Sequence, residues 1–208
     1  RAFPSTDGDS PSPRLLPAFA MSYFDLPNWL YAFSFQMMAY ISRLATIRKA
    51  IQENPDCVFI SERCLHTDKY VFAKMLYDDK KIESVDYQIY NKWFDTFIDD
   101  FDVTNIVYIK ADPTMCLERV AKRGRDGEGS IPIEYLQACG DYHNNMMLKM
   151  DCDIHVLDGN VNINTTPQTI DNWIYRINCI VEKVHKNIIH NCSSTRSSDS
   201  DTSKTKTD

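Results

Sequence analysis

Three short apolar runs interrupt an otherwise mixed chain: Cys57-Val58-Phe59-Ile60, Ile106-Val107-Tyr108-Ile109 and Ile154-His155-Val156-Leu157. Continuous apolar runs of this length, without alternation, are the pattern of parallel strands buried on both faces. Helical periodicity fills the intervals. From Trp29 to Ile51 it places Phe33, Gln36, Met37, Tyr40, Ile41 and Leu44 at helical spacing. Further helices are predicted over 67–78, 84–100, 113–123, 132–148 and 168–187. Strands that alternate with helices predict an α/β chain with a doubly wound parallel sheet. The first 20 residues are rich in Pro, Ser and Asp, and the tail from Ser193 is of low complexity. Both are expected to be disordered. The predicted division is a lead-in over 1–20, one domain over 21–190 and a tail over 191–208.

Composition narrows the function classes. At 208 residues and 43% hydrophobic, the chain is long enough for one domain with a core. A net charge of −6 argues against a general nucleic-acid binder, which would carry a basic stripe. No apolar run reaches the length needed to span a bilayer. Seven cysteines, an odd number without a CxxC pair, match neither a zinc site nor a disulfide framework, and predict reduced thiols in an intracellular protein.

In parallel sheets ligands sit beyond the carboxyl ends of the strands, so the residues after each run matter. Ser61-Glu62-Arg63-Cys64-Leu65-His66-Thr67-Asp68 follows the first. It places a carboxylate, a guanidinium and a second carboxylate close together; an ordinary ion pair with Thr67 or Asp68 capping a helix is the plainer alternative. After the second run, Ala111-Asp112-Pro113 predicts a helix start with Pro in the first turn. That helix brings Arg119 and Arg123 onto one face with Lys122 beside them, then ends in Gly124-Arg125-Asp126-Gly127-Glu128-Gly129. Like charges four apart repel by a few tenths of a kcal/mol in an isolated helix, roughly, so an anion is expected to offset them. A guanidinium cluster on a glycine-bearing loop suits phosphoryl oxygens; a solvated basic face is the alternative. Gln36 and Arg43 lie two turns apart on one helix face, and a Gln side chain matches the donor–acceptor edge of a nucleobase.

Taken together, FSFQMMAYISR (33–43), SERCLHTDKYVFAKMLYDD (61–79), IYNKWFD (89–95), VYIKADPTMCLERVAKRGRDGEGSIPIEYL (107–136) and VLDGNVN (156–162) resemble the deoxynucleoside kinases, on the branch of deoxycytidine and deoxyguanosine kinase. The resemblance covers most of residues 23–185. It implies a P-loop kinase-type sheet, ATP with Mg2+ as phosphate donor, and a deoxynucleoside acceptor, deoxycytidine or a purine deoxynucleoside being favoured. By the same resemblance, Gln36 would hydrogen-bond the base, with Phe35 and Phe72 packing on it and Arg43 and Asp68 poised at its edge. Arg63 would hold the 5′ oxygen and Glu62 would help place the magnesium. Glu128 would reach the 3′ hydroxyl with Tyr23 as partner. Arg119, Arg123 and Arg125 would form the lid, and Asp158 would lie near the adenine. A homodimer in the cytoplasm is expected, with the mitochondrion as the alternative.

The departures from that pattern are specific. No GxxxxGK[ST] loop occurs, although its backbone N–H groups and lysine cradle ATP phosphates in the family. The acidic general base expected after the family's second strand is missing too, and with it two strands of the sheet, one of them central. The chain opens at Arg1 and is expected to be an incomplete kinase without activity as it stands. A non-catalytic relic that binds nucleosides or a partner is the alternative reading. A nucleoside monophosphate kinase would need a second basic phosphate site near Arg43 or Arg48, and Asp68 beside the base disfavours it.

Overall fold

The computed structural model describes the backbone of residues 29–163 and 165–198, with side chains described for 31–163 and 165–188. The expected lead-in and Tyr23 lie outside the described residues. In chain order the elements are α1 (Trp29–Glu53), α2 (Leu65–Thr67), a π-helical segment (Asp68–Ala73), α3 (Lys74–Asp78) and α4 (Ser84–Phe97). There follow a 3-10 turn (Ile98–Asp100), β1 (Asn105–Lys110), α5 (Pro113–Arg123), α6 (Ile133–Met147), β2 (Asp153–Asp158) and α7 (Pro167–Ser198). This is an α/β organisation with a parallel sheet and surrounding helices.

Two of the three apolar runs become strands. β1 and β2 pair in parallel, from Asn105 opposite Asp153 to Lys110 opposite Asp158. The third does not. Residues 58–60 form no strand, because no neighbouring strand among the described residues offers them a ladder of hydrogen bonds. Phe59 and Ile60 are exposed, and so are Ile109 and Val156 on the sheet. The apolar character of all four reads as preparation for a larger sheet than two strands make.

The helices follow local rules. Asp112 stands at the N-cap position of α5 without a side-chain hydrogen bond, Pro113 occupies its first turn, and Gly124 ends it in the left-handed conformation at φ 59°. The segment 65–78 starts earlier than periodicity predicts. Cys64 is its N-cap, without a side-chain hydrogen bond, and Thr67, at the junction with the π segment, makes no side-chain capping bond either. The π-helical stretch widens the turn by one residue per bond and is a local form common at functional sites. At the other end, α7 runs to Ser198 rather than stopping near residue 187.

The packed clusters of the core lie among helices, while on the sheet Leu157 of β2 is buried. Tyr40 of α1 packs with Leu65, Ala73, Tyr90 and Phe94, joined by Phe33, Met37 and Leu44 of the predicted stripe. Ile41, placed on that stripe by periodicity, is exposed instead, beside Met38. A second cluster of Val71, Met75 and Met146 fastens α6 to the π segment.

The loop after β2 is tied to the carboxyl end of β1. Gly159 N–H donates to the Lys110 carbonyl at 2.6 Å, and Asp112 N–H donates to Asn160 Oδ1 at 2.8 Å. A Cβ at position 159 would stand 2.8 Å from the Lys110 oxygen and 3.1 Å from Ala111 Cβ. Both obstacles are close to rigid backbone. Gly159→Ala is therefore expected to destabilise the protein by about 1–3 kcal/mol, read as a lower urea midpoint at unchanged denaturant slope.

Candidate functional site

Arg43, about four turns into α1, reaches across to the π segment. Its Nε donates to Asp68 Oδ2 at 2.8 Å, and its Nη1 donates to the Glu62 carbonyl at 3.0 Å. Asp68 is only 3% exposed and Gln36, on the same face of α1 as Arg43, is 6% exposed. Burial raises the Asp68 carboxyl above its ordinary value, while the charge and hydrogen bond of Arg43, and then the charge of Arg63, pull it back. A buried carboxylate held by one guanidinium is thus the electrostatic centre of this region.

Arg63 departs from ordinary backbone geometry, with φ at 64° in a residue that is not glycine. Such a conformation costs of order 1–3 kcal/mol and persists only where surroundings enforce it. Here it turns the guanidinium over the face of Phe72, 4.8 Å from the ring centre, a cation–π contact. Phe72 meets the ring of His143 nearly edge-on at 6.1 Å, and His143 stacks on Tyr108 at 6.2 Å. The His143 Nδ1–H donates to the Cys139 carbonyl at 2.7 Å. Burial first, and the charge of Arg63 after the opposing backbone bond, keep the imidazole below its ordinary value and hence neutral. His143 and Tyr108 escaped sequence reading because each looks like a core residue of its own element; only the fold stacks them behind Phe72.

A second group surrounds the turn after α5. Arg123 donates through both Nε and Nη2 to one oxygen of Glu128, at 2.9 and 2.6 Å, and Arg125 lies 3.9 Å from the other oxygen. The anion that relieves the arginine face is therefore within the chain. Gly127, at φ 80°, allows the turn that returns Glu128 to Arg123. Arg119 donates to the Val161 carbonyl at 3.1 Å, and the Asp158 carboxylate accepts from the Asn160 N–H at 2.9 Å. Asn160 was not singled out by sequence, yet it links the β2 exit to the start of α5.

The structure thus brings together Arg43, Glu62, Arg63, Asp68 and Phe72 in one group, and Arg123, Arg125 and Glu128 in another. Phe35 lies on α1, one residue before Gln36, and is half-buried. Glu62 is exposed, and among the described residues no three His, Cys, Asp or Glu side chains cluster as a metal site. Such a set is not required for Mg2+, which takes one or two carboxylates together with phosphate oxygens.

A parallel α/β sheet, a buried pair that joins Arg43 of α1 to Asp68 after the first apolar run, and an arginine-lined turn define the class of protein, and sequence comparison agrees with it. Residues 9–185 match the deoxynucleoside kinase family model, and the chain belongs to the deoxynucleoside kinase family. It is 32% identical to deoxycytidine kinase of Homo sapiens over 136 residues, 62% of this chain and 52% of that protein. It is 36% identical to deoxycytidine kinase 1 of Xenopus laevis over 127 residues, 56% of this chain and 46% of that one. Mitochondrial thymidine kinase 2 of Homo sapiens is 30% identical over 131 residues, covering 62% and 48%. The chain spans about half the length of the curated relatives it matches.

The raised carboxyl of Asp68 sets a pH dependence. Its folded-state value lies above the unfolded one, so ionised Asp68 lowers stability at neutral pH, and stability returns as pH falls through the raised value toward 3.8. Removing the Arg43 cation raises the carboxyl further. Arg43→Met is expected to cost about 1–3 kcal/mol at neutral pH, and the deficit should shrink on acidification. Thermal unfolding of both proteins across that range checks this; a deficit that does not change with pH would show that Asp68 is not its source.

Proposed function

We propose that this chain carries the nucleoside pocket and lid of a kinase that transfers the γ-phosphoryl group of ATP to the 5′ hydroxyl of a deoxynucleoside. The observation that carries this reading is the buried Arg43–Asp68 pair, joined through the Glu62 carbonyl to the turn that lays Arg63 over Phe72. A charged pair at the edge of a base site favours cytosine or a purine, whose amino groups and ring nitrogens complement it, and crowds a thymine methyl. Gln36 would read the base edge, with Phe35 and Phe72 against its faces. Arg63 would hold the 5′ oxygen while Glu62 offers the carboxylate for Mg2+. The Glu62 carboxylate would hold an ion that offsets phosphate charge, and in-line transfer would rest on positioning and charge stabilisation.

Arg119, Arg123 and Arg125 would close over the phosphates, with Asp158 at the adenine side and Glu128 and Tyr23 at the 3′ hydroxyl. Glu128 holds Arg123 in this structure, so an arriving phosphate would compete for that guanidinium. This same pairing favours a second reading, nucleoside binding without transfer. Phosphoryl transfer from ATP to the four deoxynucleosides, assayed with and without Mg2+ on protein expressed from the native transcript, decides between them. Transfer supports the kinase; tight nucleoside binding without transfer supports the relic.

A homodimer is proposed from two apolar stripes. Tyr31, Met38 and Ile41 on α1, and Val85, Ile89 and Trp93 on α4, are exposed at helical spacing on helices that touch each other. Paired with a second copy, they would form a bundle seam. Among the described residues no helix is long and apolar enough to cross a membrane. The cytoplasm is the proposed compartment and the mitochondrion the alternative, since two relatives are named as mitochondrial.

Two outcomes are expected. Arg43→Met combined with Asp68→Ala should shift relative affinity among the four deoxynucleosides toward thymidine, by about tenfold for about 1.4 kcal/mol of differential contact; unchanged ratios by calorimetry would remove the base-pocket assignment. Trp93→Glu should convert a dimer to monomer in sedimentation, and a monomeric parent would remove the seam.

A further inference from the structure

Arg63 is exposed, and its backbone stands in the left-handed region. Two bonds hold that turn. Arg43 donates to the Glu62 carbonyl, and the Ser61 hydroxyl donates to the Arg63 carbonyl at 2.8 Å. Neither reaches the guanidinium. Its contact is the face of Phe72, 4.8 Å from the ring centre, and behind Phe72 the rings continue. Phe72 and His143 meet at 85° with centres 6.1 Å apart, and His143 lies within 9° of parallel to Tyr108 at 6.2 Å. Both separations suit aromatic pairs. The column runs from the turn through the π segment and α6 to β1. His143 is locked within it. Its Nδ1–H donates to the Cys139 carbonyl one turn back, and the Tyr108 hydroxyl donates to Oδ1 of the adjacent Asn144 at 3.5 Å. Space filling alone would need neither bond, because leucine takes up a similar volume. The bonds fix how the rings are turned.

We propose that His143 is a positioning residue: its locked ring sets the tilt of Phe72, and Phe72 in turn keeps the Arg63 guanidinium in place at the nucleoside site. That role rests on the base-pocket reading above, in which Arg63 holds the 5′ oxygen. An arginine side chain is rich in rotamers, and ordering it costs free energy each time a ligand arrives. A guanidinium that already rests on a ring has lost part of that freedom before binding. Phe72 is half-buried, and its ring torsion is broad unless a neighbour blocks it. The planar, hydrogen-bonded ring at position 143 blocks that rotation; a flexible aliphatic chain would yield to it.

Calorimetry with deoxycytidine on the full chain tests this in Arg63→Met, His143→Leu, His143→Phe and the double variant of Arg63→Met with His143→Leu. Arg63→Met is expected to weaken binding by about tenfold, the scale of one hydrogen bond to a charged group. His143→Leu should weaken it by about three- to fivefold, the scale of an exposed cation–π contact, and His143→Phe, which keeps a ring, by less than about twofold. Because His143 acts through Arg63, the double variant should bind as Arg63→Met alone does. Equal factors for His143→Leu in the two backgrounds overturn the proposal, as does a loss in His143→Phe as large as in His143→Leu. If Arg63→Met weakens binding and His143→Leu does not, the role of His143 is overturned and the pocket stands. If neither change affects binding, or the parent binds no deoxycytidine, the pocket reading falls and the role of His143 with it. A second measurement needs no nucleoside. The Arg63 Nε–H proton, carried on the guanidinium over the Phe72 ring, should resonate upfield of the other arginines in NMR spectra. His143→Leu should return it toward them, and His143→Phe should leave it shifted. A resonance that His143→Leu does not move overturns the proposal whatever the pocket binds.

Discussion

A single buried carboxylate sets the terms for this half of the molecule. Asp68 is charged, almost inaccessible and held by Arg43 across a helix interface. Burying a charge is tolerated only when a partner is fixed in place, so α1 cannot slide along the π segment without leaving both ions exposed to a poor environment. The second donor of Arg43 then reaches the Glu62 carbonyl and fixes the turn that presents Arg63. One ion pair thus coordinates a helix, a π-helical turn and a strained loop, which the apolar cluster around Tyr40 alone would hold less specifically.

Sequence pattern and structure agree most where the cause is local. Pro113 and Gly124 bound α5 as their backbone preferences require, and the apolar runs at 106–109 and 154–157 become the paired strands. The run at 57–60 shows the limit of such reading. Strand propensity describes a surface that wants neighbours, and Val58 to Ile60 remain unpaired where no adjacent strand is present among the described residues. The exposure of Ile41 has a related cause: periodicity counts apolar positions on a helix without saying how many of them this chain covers.

The candidate site was legible to a similar degree. Arg43, Glu62, Arg63, Asp68 and Phe72 were picked out from separate segments, and the fold brings them together. The contact between Arg123 and Glu128 was not foreseen, because a run of cations invites an external anion and hides an acid five residues away. Nor could the role of His143 be recognised. Within DYHNN it is one side chain of a helix, and its meaning lies in a stack with Phe72 and Tyr108 that only packing reveals.

Arg63 imposes a conflict between backbone and side chain that any redesign of this protein inherits. Its left-handed conformation favours glycine, and a stabilising library would enrich glycine there. That exchange would relieve strain of order 1 kcal/mol but strip the cation from Phe72. Selection for heat tolerance and selection for ligand chemistry therefore pull this position in opposite directions, and variants ranked by melting temperature alone would lose the cation that this turn presents.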